Sequence, residues 1–149
     1  MVNNDIYWMS KALELAKTAA INQEVPVGAV VVYKGEFIGQ GFNSSIKNND
    51  PSAHAEIIAL RQAAIKLKNY RLLETTVYVT LEPCIMCVGA MLHARVARLV
   101  FGASDPKTGA IGGKVNLLSY QCNHIIEYEG GVLAKECGNL LKNFFKERR

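Results

Sequence analysis

The sequence predicts an α/β fold, a three-layer α/β/α arrangement with a central five-stranded mixed sheet. Three observations carry it. Five short runs rich in β-branched residues alternate with stretches of helical apolar periodicity. The first two runs flank Lys34-Gly35, the signature of an antiparallel hairpin. The later runs are separated by helical segments, which implies a largely buried sheet with helices on both faces. At 149 residues, half of them apolar, residues 1–149 suit one domain that buries a core without disulfide help.

Taken in order, Asp5 is placed to cap a helix over about 5–22, with Ile6, Met9, Leu13, Ala16 and Ala20 recurring on one face. Val25-Pro26-Val27 breaks it. Residues 28–33 and 36–42 form the hairpin strands. Residues 43–52 are rich in turn formers and predict an exposed loop. From Ala53 the pattern is helical, with Ile57, Leu60, Ala64 and Leu67 on one face and Ser52 as N-cap, so His54 and Glu56 fall in its first turn. Asn69-Tyr70-Arg71 ends the helix, and residues 76–81 read as a strand. Pro83 suits a helix start, and residues 85–94 read as a buried apolar helix. Residues 98–102 are a strand. The long segment 103–124 has room for a short helix near 115–120, and a stretch of that length in a small domain is usually functional. Residues 125–129 predict the last strand, Gly130-Gly131 a turn, and residues 133–146 a final helix.

No apolar run reaches the roughly 20 residues that span a bilayer, and the N-terminus lacks the basic-then-apolar layout of a signal peptide, so a soluble cytoplasmic protein is expected. Four cysteines without a disulfide framework suit a reducing compartment, with Cys122 and Cys137 read as buried, inert thiols. The net charge of +4 is a mild excess that favours a polyanionic partner. Lys142, Lys146, Arg148 and Arg149 crowd the last eight residues, where such a partner would be sought.

Two stretches carry chemistry: His54-Ala55-Glu56 and Pro83-Cys84-Ile85-Met86-Cys87. Imidazole and thiolate hold tetrahedral zinc, and a catalytic site keeps three protein ligands so that the fourth position takes water. His54, Cys84 and Cys87 make three. Helical neighbours two residues apart point to different sides, so Glu56 is better placed for proton transfer than for ligation. Alone, the Cys-x-x-Cys would equally suit a redox pair or half of a structural zinc site. The first usually stands in a thioredoxin-like setting, and the second needs a fourth ligand, for which His93, Cys122, His124 and Cys137 offer no paired spacing. Both cysteines lie near a helix N-terminus, whose partial positive charge favours thiolate.

His-x-Glu followed by Pro-Cys-x-x-Cys is the signature of zinc nucleobase deaminases. Residues 24–30, 50–57, 69–72, 80–87, 100–103, 105–110 and the Phe144-Phe145 end further resemble the bacterial tRNA-specific adenosine deaminases, over nearly the whole length. The resemblance implies a cytidine-deaminase-like fold, one zinc ion (Zn2+) per subunit, and a homodimer acting on a tRNA anticodon stem-loop. The reaction it implies is hydrolytic conversion of the wobble adenosine of arginine tRNA to inosine, with Glu56 as proton shuttle. It also implies that Asn43 bonds the flipped base, that Val27 and Leu81 line its pocket, and that Asp105 and Lys107 lie along the anticodon loop. Phe145, Arg148 and Arg149 would add a stacking face and phosphate contacts. Plainer readings stand beside these: a loop Asn, a turn pair, and a last helix whose aromatics pack and whose cations suit its dipole. The alternatives to the whole reading are a small-molecule guanine or cytosine deaminase, and a zinc-stabilised RNA-binding module, which would have no use for Glu56.

Overall fold

The computed structural model describes residues 2–120 and 123–148; Cys122 and Arg149 lie outside the described residues. Four α-helices, α1 (Val2–Ile21), α2 (Ala55–Leu67), α3 (Ile85–Ala94) and α4 (Ala134–Lys146), accompany five strands, β1 (Gly28–Tyr33), β2 (Glu36–Phe42), β3 (Thr75–Leu81), β4 (Arg98–Ala103) and β5 (Glu127–Gly130). The sheet order is β2-β1-β3-β4-β5. β1 pairs antiparallel with β2 and β3, while β3–β4 and β4–β5 are parallel, so the sheet is mixed as expected. At the hairpin Lys34 and Gly35 both take positive φ, +50° and +78°, the pair of left-handed residues that a two-residue turn matched to strand twist requires.

Side-chain alternation along the strands sorts the core into two layers. Val31, Val77, Val79, Leu99 and Phe101 meet Leu60 and Ala63 of α2 and Val88 and Met91 of α3. Val30, Val32, Tyr78 and Val100 meet Met9 and Ala12 of α1 and Cys137 of α4. Helices therefore cover both faces. Cys137 is a buried free thiol, pushed up to about 11 by burial and by the nearby Glu136 charge.

Strand directions bring one set of chain ends together. β3 and β4 run parallel, and β1 runs against β3 with Ala29 opposite Val79. Val27 before β1, Asn43 after β2, Glu82 after β3 and Ser104 after β4 therefore gather beyond one end of the sheet. In sheets with parallel strands this carboxyl end is where ligands bind.

Several elements differ from expectation for identifiable reasons. α1 begins before Asp5, so Asp5 is no cap. It is buried and accepts two hydrogen bonds from the Arg98 guanidinium, both 2.7 Å, and one from Tyr78 Oη at 2.8 Å. The buried stripe of α1 runs Asp5-Met9-Ala12-Ala16-Ala19, which leaves Ile6 exposed. Small residues fill it because α1 lies so close to β1 that a Cβ on Gly28 would run into the Ala12 carbonyl. α2 starts at Ala55, and Ser52 is not its cap. Ser52 N and Oγ are both engaged by Asp50 Oδ1 at 2.8 and 2.7 Å, an Asx-type turn that competes with capping. α3 is buried on one side only, with Ile85 and Met86 exposed. β5 starts at Glu127, because its pairing with β4 begins there, opposite Arg98; Ile125 before it faces solvent and Ile126 packs into the core. The short helix of the long segment is a 3-10 turn over Leu117–Ser119.

The Arg98 guanidinium holds the Asp5 carboxyl below its ordinary 3.8, helped by Tyr78 and against the opposing effect of burial. A depressed folded-state value means that folding favours the ionised form. The contribution is complete above the ordinary value and is lost as pH falls through the folded one. Asp5→Asn is expected to lower stability by about 1–3 kcal/mol at neutral pH. In urea unfolding the gap to the unaltered chain should shrink below about pH 4; a gap independent of pH would contradict this.

Candidate active site

α2 and α3 both begin at a ligand-type residue. His54 is the N-cap of α2 and Cys84 that of α3, each with extended backbone (φ −74°, ψ 153° and φ −79°, ψ 175°) and neither capping its helix through its own side chain. Those side chains are thus free to meet. His54 Nδ1 lies 3.6 Å from Cys84 Sγ and 3.5 Å from Cys87 Sγ, and the two sulfurs are 3.8 Å apart. Tetrahedral zinc, with Zn–S of about 2.3 Å and Zn–N of about 2.0–2.1 Å, sets sulfurs about 3.8 Å apart and sulfur from nitrogen about 3.6 Å apart. The donor set fits such an ion in both chemistry and spacing, and its three ligand atoms all fall within 4.8 Å of one another.

The electrostatics agree. The Cys84 thiol is pulled down to about 4, first by the Cys87 hydrogen bond and then by His54, against the cost of burial. Cys87 is driven upward, first by the bond to Cys84 and then by burial. His54 is raised, chiefly by its bond to Cys84. The Cys84 sulfur is thus biased toward thiolate, with the Cys87 thiol beside it. That bias suits a cation held between the donors, because thiolate is the ligating form.

Glu56, in the first turn of α2, is buried and is not among the three converging donors. Burial pushes its carboxyl up to about 7, against its own backbone N–H and the His54 charge and with the Cys84 charge. It can therefore exchange a proton near neutrality.

Glu56, His54 and Cys84 line a cavity of about 600 Å³ with Val27, Asn43, Leu81, Asp105, Lys107, Phe145 and Arg148. All the sequence-predicted site residues among those described meet there except Cys87, which is buried beneath. Asn43 Oδ1 accepts from Ala55 N at 2.8 Å, so it supplies from a distance the cap that Ser52 does not. That use of the acceptor leaves the amide's NH2 as its donor. Asp105 accepts from Lys107 N, Thr108 N and Thr108 Oγ1. Burial opposes ionisation there, but those bonds hold its carboxyl below the usual range. Arg148 lies with its guanidinium 3.5 Å over the Phe144 ring and bonds Phe144 O at 3.1 Å and Gln23 Oε1.

Two buried acids were missed by sequence reasoning, along with the lining residues Val25, Thr108 and Leu141. Glu24 and Glu82 are buried, yet among the described residues their carboxylates accept only from backbone N–H groups of distant loops. Glu24 accepts from Ile46 and Lys47, and Glu82 from Asp105, Ile111 and Gly113. The available signal was a lone acid just before a Val-Pro or a Pro, in Glu24-Val25-Pro26 and Leu81-Glu82-Pro83.

A family profile described as MafB19-like deaminase matches residues 3–149. A tRNA-specific adenosine deaminase of Haemophilus influenzae is 57% identical over 143 residues, covering 95% of this chain and 83% of its own length. One from Buchnera aphidicola subsp. Baizongia pistaciae is 52% identical over 159 aligned positions, covering all of this chain and 93% of its own. A solved structure from work on tRNA:A34 deaminases superposes with TM-score 0.88 at 40% identity, covering 91% of this chain and 99% of that one. Identity of this extent, on a shared fold that assembles the deaminase donor set, means that the chain belongs to the tRNA-specific adenosine deaminase family.

Proposed function

We propose that the chain is a zinc-dependent tRNA adenosine deaminase that converts the wobble adenosine of arginine tRNA to inosine, releasing ammonia. The observation that carries this is the pairing of a tetrahedral His54/Cys84/Cys87 donor set with a buried, unligated Glu56 on one cavity wall. When bound by those three residues, zinc supplies a Lewis acid that brings the pKa of water toward about 7. Glu56 accepts one proton of the water that attacks C6 and delivers it to the ring nitrogen; it then takes the second proton from the new C6 hydroxyl and gives it to the amino group, which leaves as ammonia as the C6 carbonyl forms. Val27 and Leu81 enclose the base, and the Asn43 NH2 donates to a ring nitrogen. His54 and Cys84 close the floor beside Glu56. The single domain works in the cytoplasm, where its tRNA substrate is; among the described residues no helix is long and apolar enough to cross a membrane.

The unaltered chain, incubated with an arginine tRNA transcript, free cytidine and free guanine, should form inosine in the tRNA with one ammonia per event. Uridine or xanthine instead would assign a small-molecule deaminase, and no product at all a binding module. The basic rim supplies phosphate contacts from Lys107 and Arg148, with Phe145 as stacking face; Arg149 would add a further cation. Arg148→Ala should weaken stem-loop binding several-fold and flatten the slope of log K against log salt by about 1. An unchanged slope would remove Arg148 from the interface.

A second copy of the chain completes the working unit. An apolar groove between α2 and α3, lined by Ile57, Leu60, Ala64, Tyr70 and Ala90, supports this. So do the exposed Ile85 and Met86 at the start of α3. Light scattering should give twice the mass of one chain.

A further inference from the structure

We infer that Glu82 is a positioning residue for RNA recognition: its buried carboxylate locks the loop of Asp105, Lys107 and Thr108 to the turn that carries Cys84. The inference rests on the function proposed above, and it concerns a residue that takes no part in the chemistry.

Glu82 sits two residues before Cys84, immediately after β3. Its backbone N–H bonds Ala103 O at 2.8 Å, which continues the β3–β4 ladder into the loop. Its side chain is 2% exposed. Oε1 accepts from Asp105 N at 2.9 Å, and Oε2 from Ile111 N at 2.9 Å and Gly113 N at 2.8 Å. Three backbone donors from a nine-residue span thus converge on one carboxylate, and among the described residues no Lys or Arg is paired to it. The neighbours reinforce the clamp, because Ala110 N bonds Pro83 O at 2.9 Å and Gly109 bridges to Cys84.

The loop is shaped around this group. A Cβ on Gly109 would collide with the Glu82 carboxyl, and one on Gly113 would run into the Asp105 carbonyl and come 2.7 Å from Glu82 Oε1. Both positions must be glycine for the carboxylate to reach the amides behind them. Between the anchor points lie Lys107 and Thr108, which line the cavity along with Asp105 and Glu82 itself. Charge-assisted bonds from buried amides are among the stronger hydrogen bonds. Their loss would leave three amides without partners and free the loop, while the zinc donors, fixed by the N-termini of α2 and α3, would keep their places. Glu82 therefore governs how the residues flanking the target base are presented.

The test uses Glu82→Gln, which keeps the size but turns an NH2 group toward amides that need an acceptor. Gly113→Ala is the second variant, pushing the Asp105 carbonyl and the Glu82 carboxylate apart from the loop side while Glu82 stays intact. In both, amide exchange at Asp105, Ile111 and Gly113 should accelerate at least tenfold, zinc should stay at one per chain, and KM for an anticodon stem-loop should rise about tenfold with kcat within threefold. In a Lys107→Ala background the KM effect of Glu82→Gln should shrink, because both act through one loop. A fall in kcat or zinc content with KM unchanged, or full additivity with Lys107→Ala, would overturn the inference. Stem-loop Kd by fluorescence anisotropy in the same samples reads the positioning role without turnover. A Kd unaffected by either variant overturns it too, whereas an unaltered chain that binds but does not deaminate counts only against the proposed reaction.

Discussion

Glu56→Gln is expected to keep one zinc per chain and to lose about 10²–10⁴ in single-turnover rate on a pre-bound stem-loop, the range that a positioned acid–base group supplies. The side chain is 4% exposed and lines the cavity beside His54 and Cys84, while the three converging donors leave it out. Gln has nearly the same shape, so packing at the start of α2 should survive, and RNA binding should change less than threefold. What disappears is the ability to take a proton from water and return it to nitrogen. A variant that keeps its rate within threefold would show that the proton moves by another route. One that loses zinc would show that Glu56 holds the metal site together, and either result would end the assignment.

The donor set was legible in the sequence because metal chemistry is restrictive. Few residue types ligate zinc, and a local Cys-x-x-Cys fixes two donors before any tertiary structure is known. His54 lies 30 residues before Cys84, yet each stands where a helix begins, and a helix start is a local signal. The sheet was legible for a related reason. Val30, Val31, Val32, Tyr78 and Val100 are buried whichever face they take, so a β-branched run sufficed to mark each central strand. β5 was placed two residues early because its residues are all exposed, and an exposed edge carries little pattern.

What escaped were partnerships made across the chain. Ser52 has the composition of a cap, but Asp50 claims it, and Asn43 from another loop caps α2 instead. Asp5 also looks like a cap until Arg98, 93 residues away, is seen to bind it. Glu24 and Glu82 are the extreme cases, because backbone amides recognise them and every residue but proline carries one. No residue type marks the partner, so no motif can. The cavity residues Val25, Thr108 and Leu141 were passed over for a like reason, since apolar or hydroxyl side chains announce no chemistry until the cavity exists.

Cys87→Ala is expected to remove both the metal and the activity. Cys87 is fully buried, 3.5 Å from His54 Nδ1 and 3.8 Å from Cys84 Sγ, and no other thiol is described near enough to stand in. Two donors remain, one short of the three that hold a catalytic zinc. Metal analysis should fall from one zinc per chain to below about a tenth, with deamination undetectable. Stability supplies an independent reading. A ligand present at about a thousand times its Kd stabilises the folded state by about 4 kcal/mol, which for a chain of this size is about 8–16 °C in Tm. Chelator should therefore lower the Tm of the unaltered protein by about that much and leave Cys87→Ala where it was, because the N-termini of α2 and α3 are already unbridged in the variant. If Cys84 and Cys87 were instead a redox pair, the purified protein would carry no zinc and its Tm would follow oxidant rather than chelator. Response to chelator without response to oxidant distinguishes the two uses of the same pair of sulfurs.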